Sequence, residues 1–251
     1  MDRDPEKTHT FGPGNHGVQV GSNLGTINNY LLGDSNQHNA LSYLFLPDPH
    51  VDRSNVLTEM GDRVAGTCDW IQHETAFVRW LESTSSSLWL RGGPGKGKTM
   101  IALYVTETLL HLETQDPAKT TVLFFFCSEK SATQNNAIAI LRGLLFQFIK
   151  KKPHLLKYCT DRLGKDNYKQ TIASFGTLWD IFTMMLSDDR LGDIFCVLDG
   201  VDECEKASLT VLLRKLFTLF PKQPPQTLRR LKLFGISREI GGVNFSPDEV
   251  I

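Results

Sequence analysis

Gly92-Gly93-Pro94-Gly95-Lys96-Gly97-Lys98-Thr99 is a complete GxxxxGK[ST] pattern. These residue types suit one task, wrapping backbone N–H groups around phosphate. The glycines let the chain turn its N–H groups inward where a Cβ would obstruct them. Lys98 is expected to reach the β- and γ-phosphate oxygens, and the Thr99 hydroxyl is expected to ligate Mg²⁺. The apolar run Leu88, Trp89 and Leu90 precedes the loop, and Met100 to Leu110 reads as a helix after it. A strand, loop and helix in that order aim the helix N-terminus at the phosphate. Gly92 through Thr99, with Met100, are therefore assigned to nucleotide contact, with ATP or GTP and Mg²⁺ as the expected ligands.

Downstream, the chain alternates strand and helix. TVLFFFC, residues 121–127, is a continuous apolar strand of the kind buried on both faces. A helix is expected from Asn136 to Lys150, another from Phe175 to Leu186, a strand over Ile194–Leu198 and a helix over Ala207–Phe220. Pro221, Pro224 and Pro225 then break the chain before the strand Leu231–Ser237. Short strands alternating with helices imply a three-layer α/β fold with a parallel sheet. Ahead of the phosphate loop, Thr67 is a candidate N-cap for a helix to about Leu81, with Trp70, Ile71, Phe77, Trp80 and Leu81 on its core side. Residues 34–60 are mixed and polar, with Leu41 and Tyr43 to Leu46 as their packing group. The lysines at 150–152 look like a solvated helix end.

The second half of the site is DIFCVLD, residues 193–199, an apolar strand ending in a carboxylate. That is the form of a Walker B strand, and Asp199 is expected to hold Mg²⁺ through water opposite Thr99. Asp202 and Glu203 add two acids within one turn, where a carboxylate can orient the water that attacks a γ-phosphate. The bland alternative is an acidic helix start, favoured by the helix dipole. Arg238, directly after the strand LKLFGIS, is placed to sense or neutralise γ-phosphate charge. The candidate catalytic group is thus Asp202, Glu203 and Arg238, and the candidate metal ligands are Thr99 and Asp199.

Composition limits the alternatives. The 251 residues are 41% hydrophobic with a net charge of −1, enough apolar content for a sizeable core and too little positive charge for a dedicated nucleic-acid binder. No run reaches the length of a membrane span, and the polar N-terminus lacks the apolar centre of a signal peptide. A cytoplasmic location is expected. The five cysteines are scattered and show no zinc spacing; Cys127 and Cys196, inside strands, read as small hydrophobes.

Residues 1–10 are expected to be disordered. FGPGNHGVQVGSNLGTINNYLLG, residues 11–33, has no charged side chain and is dominated by Gly and Asn. It has the composition of a flexible linker and equally that of a cross-β stacking segment with Asn ladders.

GGPGKGKT, VLDGVDE and GISR together resemble the NACHT branch of the STAND signalling NTPases, in which a small residue follows the Walker B Asp and an acidic pair lies just beyond. Here those are Gly200 and Asp202-Glu203. GTCDWIQHETAFVRWL and FFFCSEKSATQNNAIAILRGLLFQFI resemble segments of fungal NOD-like receptors and of nephrocystin-3-like N-terminal NTPase modules. GNHGVQVGSNLGTINN is similar to the sigma motif that precedes fungal NACHT domains. The resemblance covers about Gly66 to Arg238 and implies an ASCE/AAA-like P-loop core. It also implies slow hydrolysis at most, homo-oligomerisation on activation, and an effector protein carrying a matching amyloid motif.

The implied layout is a sigma-like segment at 11–35, a linker and pre-NTPase helix at 36–82, and the NTPase domain at 83–251. The family continues into helical, winged-helix and repeat regions that these residues do not include, so the domain reads as C-terminally incomplete. Glu239 stands where many relatives have Pro. Two other readings remain: a truncated adaptor acting only through its N-terminal motif, and a small-molecule P-loop kinase.

Overall fold

Alternate residues of each strand belong to two different cores. The computed structural model describes residues 35–46, 48–163, 167–220, 230–241 and 246–251, with side chains from residue 40 onward. The expectations for residues 1–10, for the sigma-like segment through residue 34, and for the proline break at 221–225 fall outside these described residues. Five parallel strands, β1 (Ser86–Arg91), β2 (Thr120–Phe126), β3 (Asp193–Asp199), β4 (Leu231–Ser237) and β5 (Glu249–Val250), form one sheet in the order β2-β3-β4-β1-β5.

Val122, Phe124, Phe126, Phe195, Val197, Phe234, Ile236, Leu88 and Leu90 face one layer. That layer contains α3 (Thr75–Glu82) and α4 (Lys98–Gln115). Leu123, Phe125, Ile194, Cys196, Leu198, Leu231, Leu233 and Trp89 face the other. This second layer holds α1 (Ser35–Leu44), α5 (Ala137–Lys151), α7 (Phe175–Leu186) and α8 (Lys206–Phe217). The two-residue period of a strand sends successive side chains to opposite faces, so a run apolar throughout must be covered twice. The fold is a three-layer α/β arrangement with an all-parallel central sheet. Two further helices, α2 (Pro49–Met60) and α6 (Tyr168–Ala173), lie around it.

β2 is an edge strand whose outward backbone groups are met by side chains. Gln147 accepts from the Phe124 N–H at 3.2 Å and donates to the Phe124 carbonyl at 2.8 Å. Glu113 accepts from the Val122 N–H at 2.9 Å, and Lys151 donates to the Val122 carbonyl and to Glu113, both at 2.6 Å. Side chains of α4 and α5 thus stand in for a missing strand and close the edge to pairing. Lys151 is therefore no solvated terminus, as the sequence suggested: its ammonium is largely enclosed because it completes this edge. Lys150 pairs with Asp48 at 2.7 Å.

Two expectations upstream of the loop are corrected. The stretch from Thr67 to Leu81 is not one helix: a 3-10 turn, Asp69–His73, is followed by extended Glu74 (φ −69, ψ 121) and then α3. Thr67 is not an N-cap; its hydroxyl donates to the Val64 carbonyl at 2.7 Å. In a continuous helix Trp70 and Phe77, seven residues apart, would share a face. The break buries Ile71, Phe77 and Trp80 and turns Trp70 outward, leaving it 45% exposed. The mixed, polar stretch ahead of residue 61 holds α1 and α2. α2 opens with Asp48 accepting from the His50 N–H at 3.0 Å and with Pro49 at its first position, a start signal readable in the sequence.

The other expected strands and helices fall within a few residues of their predicted bounds, while α6 and β5 were not anticipated. All five cysteines are buried and unpaired in disulfides. No helix among the described residues is long and apolar enough to cross a membrane.

Candidate functional site

The strand order sets the site before any side chain is placed. β4 lies between β1 and β3 and pairs with both: Leu233 meets Ser87 on one side and Cys196 on the other. The C-terminal ends of three neighbouring parallel strands thereby bring together the phosphate loop after β1, Asp199 ending β3, and Arg238 after β4. Ligands of open α/β sheets sit beyond this carboxyl edge. Close approach at the centre depends on Gly235, where a Cβ would lie 2.2 Å from the Trp89 ring. Trp89 instead lies across β4 and donates its indole N–H to the Ser237 hydroxyl at 2.8 Å. The Gly92 N–H donates to the Ser237 carbonyl at 3.3 Å, which ties the start of the loop to the end of β4.

Within the loop, Gly95 and Gly97 take φ values of +69 and +75. Those are left-handed conformations that cost a side-chain-bearing residue about 1–2 kcal/mol. Beyond the adjacent residues, nothing lies within 4 Å of a Cβ built at either position, so the glycines are required by backbone conformation, and the space beside them is open. The Lys98 ammonium donates to the Gly93 carbonyl at 2.9 Å and so bridges the loop. An open cleft of about 180 Å³ runs from Pro94 to Thr99 on one wall to Asp199, Gly200, Asp202, Glu203 and Arg238 on the other. Met60, at the end of α2, also lines it. Gly92 and Gly93 border a neighbouring recess with Arg91, Arg238 and Glu239. Met100, which the sequence placed with the nucleotide loop, packs partly buried against the core and is not part of the cleft wall. It lies in the first turn of α4.

Asp199 is 4% exposed. Burial pushes its carboxyl from the ordinary 3.8 up to about 6, and the nearby Glu203 and Asp202 carboxylates add to the rise. Opposing them, the nearby Thr99 hydroxyl and Gly200 N–H pull it back down. A carboxylate and a hydroxyl are hard oxygen donors that suit Mg²⁺, which completes its shell with phosphate and water. Among the described residues no group of three or more His, Cys, Asp or Glu could hold a metal by itself.

Gly200 has φ +65, and a Cβ there would stand 3.0 Å from the Cys127 carbonyl oxygen. That is the physical demand behind a glycine after this aspartate: the chain must turn sharply under the end of β2. The turn starts a short 3-10 helix, Val201–Glu203, which separates the two acids. Asp202 faces β4, accepting from the Arg238 N–H at 2.9 Å and lying 3.4 Å from its Nε. Glu203 faces the exit of β2 and accepts from the Glu129 N–H at 3.2 Å. Thr99, Asp199, Asp202, Glu203 and Arg238, assigned from separated stretches of sequence, thus converge on one cleft. The contributions of Met60 and of the Glu129 backbone carried no sequence signal, since both arise from packing between distant segments.

The sequence pattern of the family described as nephrocystin 3, N-terminal, matches residues 66–238. The vegetative incompatibility protein HET-E-1 of Podospora anserina is 29% identical over 168 residues, covering 65% of this chain but only 12% of that protein. Among solved structures, the ORC2 protein of Aeropyrum pernix in ADPNP and ADP complexes aligns with 69% of this chain and 41% of its own, at 11% identity and a TM-score of 0.37. A Drosophila ORC bound to DNA and Cdc6 aligns with 94% of this chain and 33% of its own, at 16% identity and a TM-score of 0.34. Neither overlay is close enough to bear on the site.

Proposed function

Because the chain belongs to the nephrocystin 3 N-terminal family, we propose that it is a Mg²⁺-dependent nucleoside triphosphate switch that hydrolyses ATP or GTP slowly if at all. One observation carries this reading: Thr99, directly after the phosphate loop, and a desolvated Asp199 on a different strand line the same cleft. A buried carboxylate held at about 6 is a cost to the apo protein that a dication would relieve. Thr99 and Asp199 would hold Mg²⁺, which would supply charge neutralisation at the phosphates.

The loop N–H groups and Lys98 bind and orient the β- and γ-phosphates. Glu203, held by the Glu129 N–H at the rim of the cleft, accepts a proton from the attacking water. Arg238 offsets charge on the terminal phosphate.

The relative's description as a vegetative incompatibility protein favours signalling over small-molecule phosphorylation. In that role the bound nucleotide sets the oligomeric state of this domain. Residues 11–35 would then act as a cross-β template for an effector protein with a like segment, a step that rests on their composition alone.

The test is binding of fluorescent ATP and GTP analogues, with and without Mg²⁺, to wild-type protein and to Lys98→Ala. Mg²⁺-dependent binding lost in the variant is the expected result. Equal binding by both proteins, or none by either at sub-millimolar nucleotide, would sink the proposal.

A further inference from the structure

Asp202 and Glu203 are adjacent acids on one 3-10 turn, yet they are committed to opposite neighbours of β3. Glu203 reaches toward β2 through the Glu129 N–H. Asp202 spends both carboxylate oxygens on a single residue, Oδ1 on the backbone N–H of Arg238 at 2.9 Å and Oδ2 near its Nε at 3.4 Å. The Asp202 side chain is only 14% exposed, whereas the Arg238 side chain is 53% exposed and lines the cleft. Arg238 is also the first residue past the last paired position of β4, Ser237. Its backbone is therefore held by Asp202 rather than by the sheet.

We propose that Asp202 is a positioning residue for Arg238, and that it acts through the backbone bond more than through the ion pair. This rests on the nucleotide-switch reading above. An ion pair this open to water is weak, whereas a carboxylate on a backbone N–H is a charge-assisted bond of fixed direction. Pinning the backbone where the strand ends fixes the base of the Arg238 side chain. Engaging Nε leaves the outer edge of the guanidinium directed away from Asp202. Terminal-phosphate sensing then depends on Asp202 through Arg238. The ligand class the pair distinguishes is a nucleoside triphosphate from the corresponding diphosphate.

The experiment measures dissociation constants for Mg²⁺·ATP, Mg²⁺·ADP, Mg²⁺·GTP and Mg²⁺·GDP on the full chain. It compares wild type, Asp202→Ala, Asp202→Asn, Arg238→Ala and the Ala/Ala double variant, with thermal melts to confirm folding. Asp202→Ala is expected to cut the preference for triphosphate over diphosphate by about three- to tenfold, the scale of one charge-assisted hydrogen bond. Arg238→Ala should give a loss of the same size, and the double variant no further loss. Asp202→Asn keeps an oxygen for the backbone N–H and should restore most of the preference, which a purely electrostatic or merely structural role would not allow.

An unchanged preference in Asp202→Ala, or additive losses in the double variant, would overturn the positioning role while leaving the switch intact. Failure of wild type to bind any of the four nucleotides would overturn both. Should Asp202→Ala melt prematurely, the Asn variant decides: a preference as low as that of Arg238→Ala refutes a role through the backbone bond.

Discussion

Asp199→Asn should make the nucleotide-free protein more stable while abolishing the Mg²⁺ dependence of its nucleotide binding. Burial raises the native carboxyl to about 6 against an ordinary 3.8. At about 1.4 kcal/mol per tenfold change, keeping it ionised costs the native state about 3 kcal/mol above pH 7. Asn carries no charge, but its amide answers the nearby Thr99 hydroxyl and Gly200 N–H less well than a carboxylate does, so about 1 kcal/mol is lost again. The net expectation is a gain of about 2 kcal/mol at pH 8 in urea unfolding of the apo protein.

The pH dependence gives the sharper test. With the native value above the unfolded one, the native state holds a proton between pH 4 and 6 that the unfolded chain has released. Wild-type stability therefore falls as pH rises through this window. Between pH 8 and pH 5 the wild type recovers about 1.4 kcal/mol, so the advantage of the Asn variant shrinks by that amount. An Asn variant less stable than wild type at pH 8, or an advantage that does not change with pH, would falsify the claim that Asp199 is a desolvated charge awaiting a cation.

Three further substitutions probe the frame that carries the site. Gly200→Ala forces a side chain onto φ +65 with its Cβ 3.0 Å from the Cys127 carbonyl; a loss of about 1–3 kcal/mol is expected, and an unchanged urea midpoint would count against it. Gly235→Ala drives a methyl to 2.2 Å from the Trp89 ring. It should cost about 3 kcal/mol and alter the near-UV circular dichroism of the buried indole, so a wild-type spectrum would contradict the packing described. Gln147→Leu leaves the Phe124 N–H and carbonyl at the sheet edge unanswered, with an expected loss of about 2–4 kcal/mol and aggregation that rises with concentration. Light scattering that stays monodisperse at every concentration would show that the edge is closed by something else.

Much of the fold is local and periodic, which is why it could be read from residues alone. An apolar run such as residues 121–127 can only be a doubly covered strand, and the glycines of the phosphate loop mark where the backbone must turn left-handed. The candidate site residues Lys98, Thr99, Asp199, Glu203 and Arg238, which share one cleft, could be picked out for the same reason, each near the end of a recognisable strand or loop. Weak periodicity hid α1 and α2, whose amphipathic stripes are faint. Trp70 was misplaced because its exposure depends on a break at Glu74 that no propensity marks. Lys151 looked solvated because its partners, Glu113 and Val122, lie on other elements.

The sequence by itself determined the strand–loop–helix unit, the carboxylate-ended strand and the alternation that requires a parallel sheet, because these follow from side-chain period and backbone conformation over a few residues. Tertiary structure alone decided that β4 enters between β1 and β3, that Asp202 turns to Arg238 while Glu203 turns to β2, and that Asp199 is dry enough to hold its proton to about pH 6. Strand order, hydrogen-bond partner and desolvation are set by what packs alongside a residue from far along the chain, and no local pattern records that neighbour.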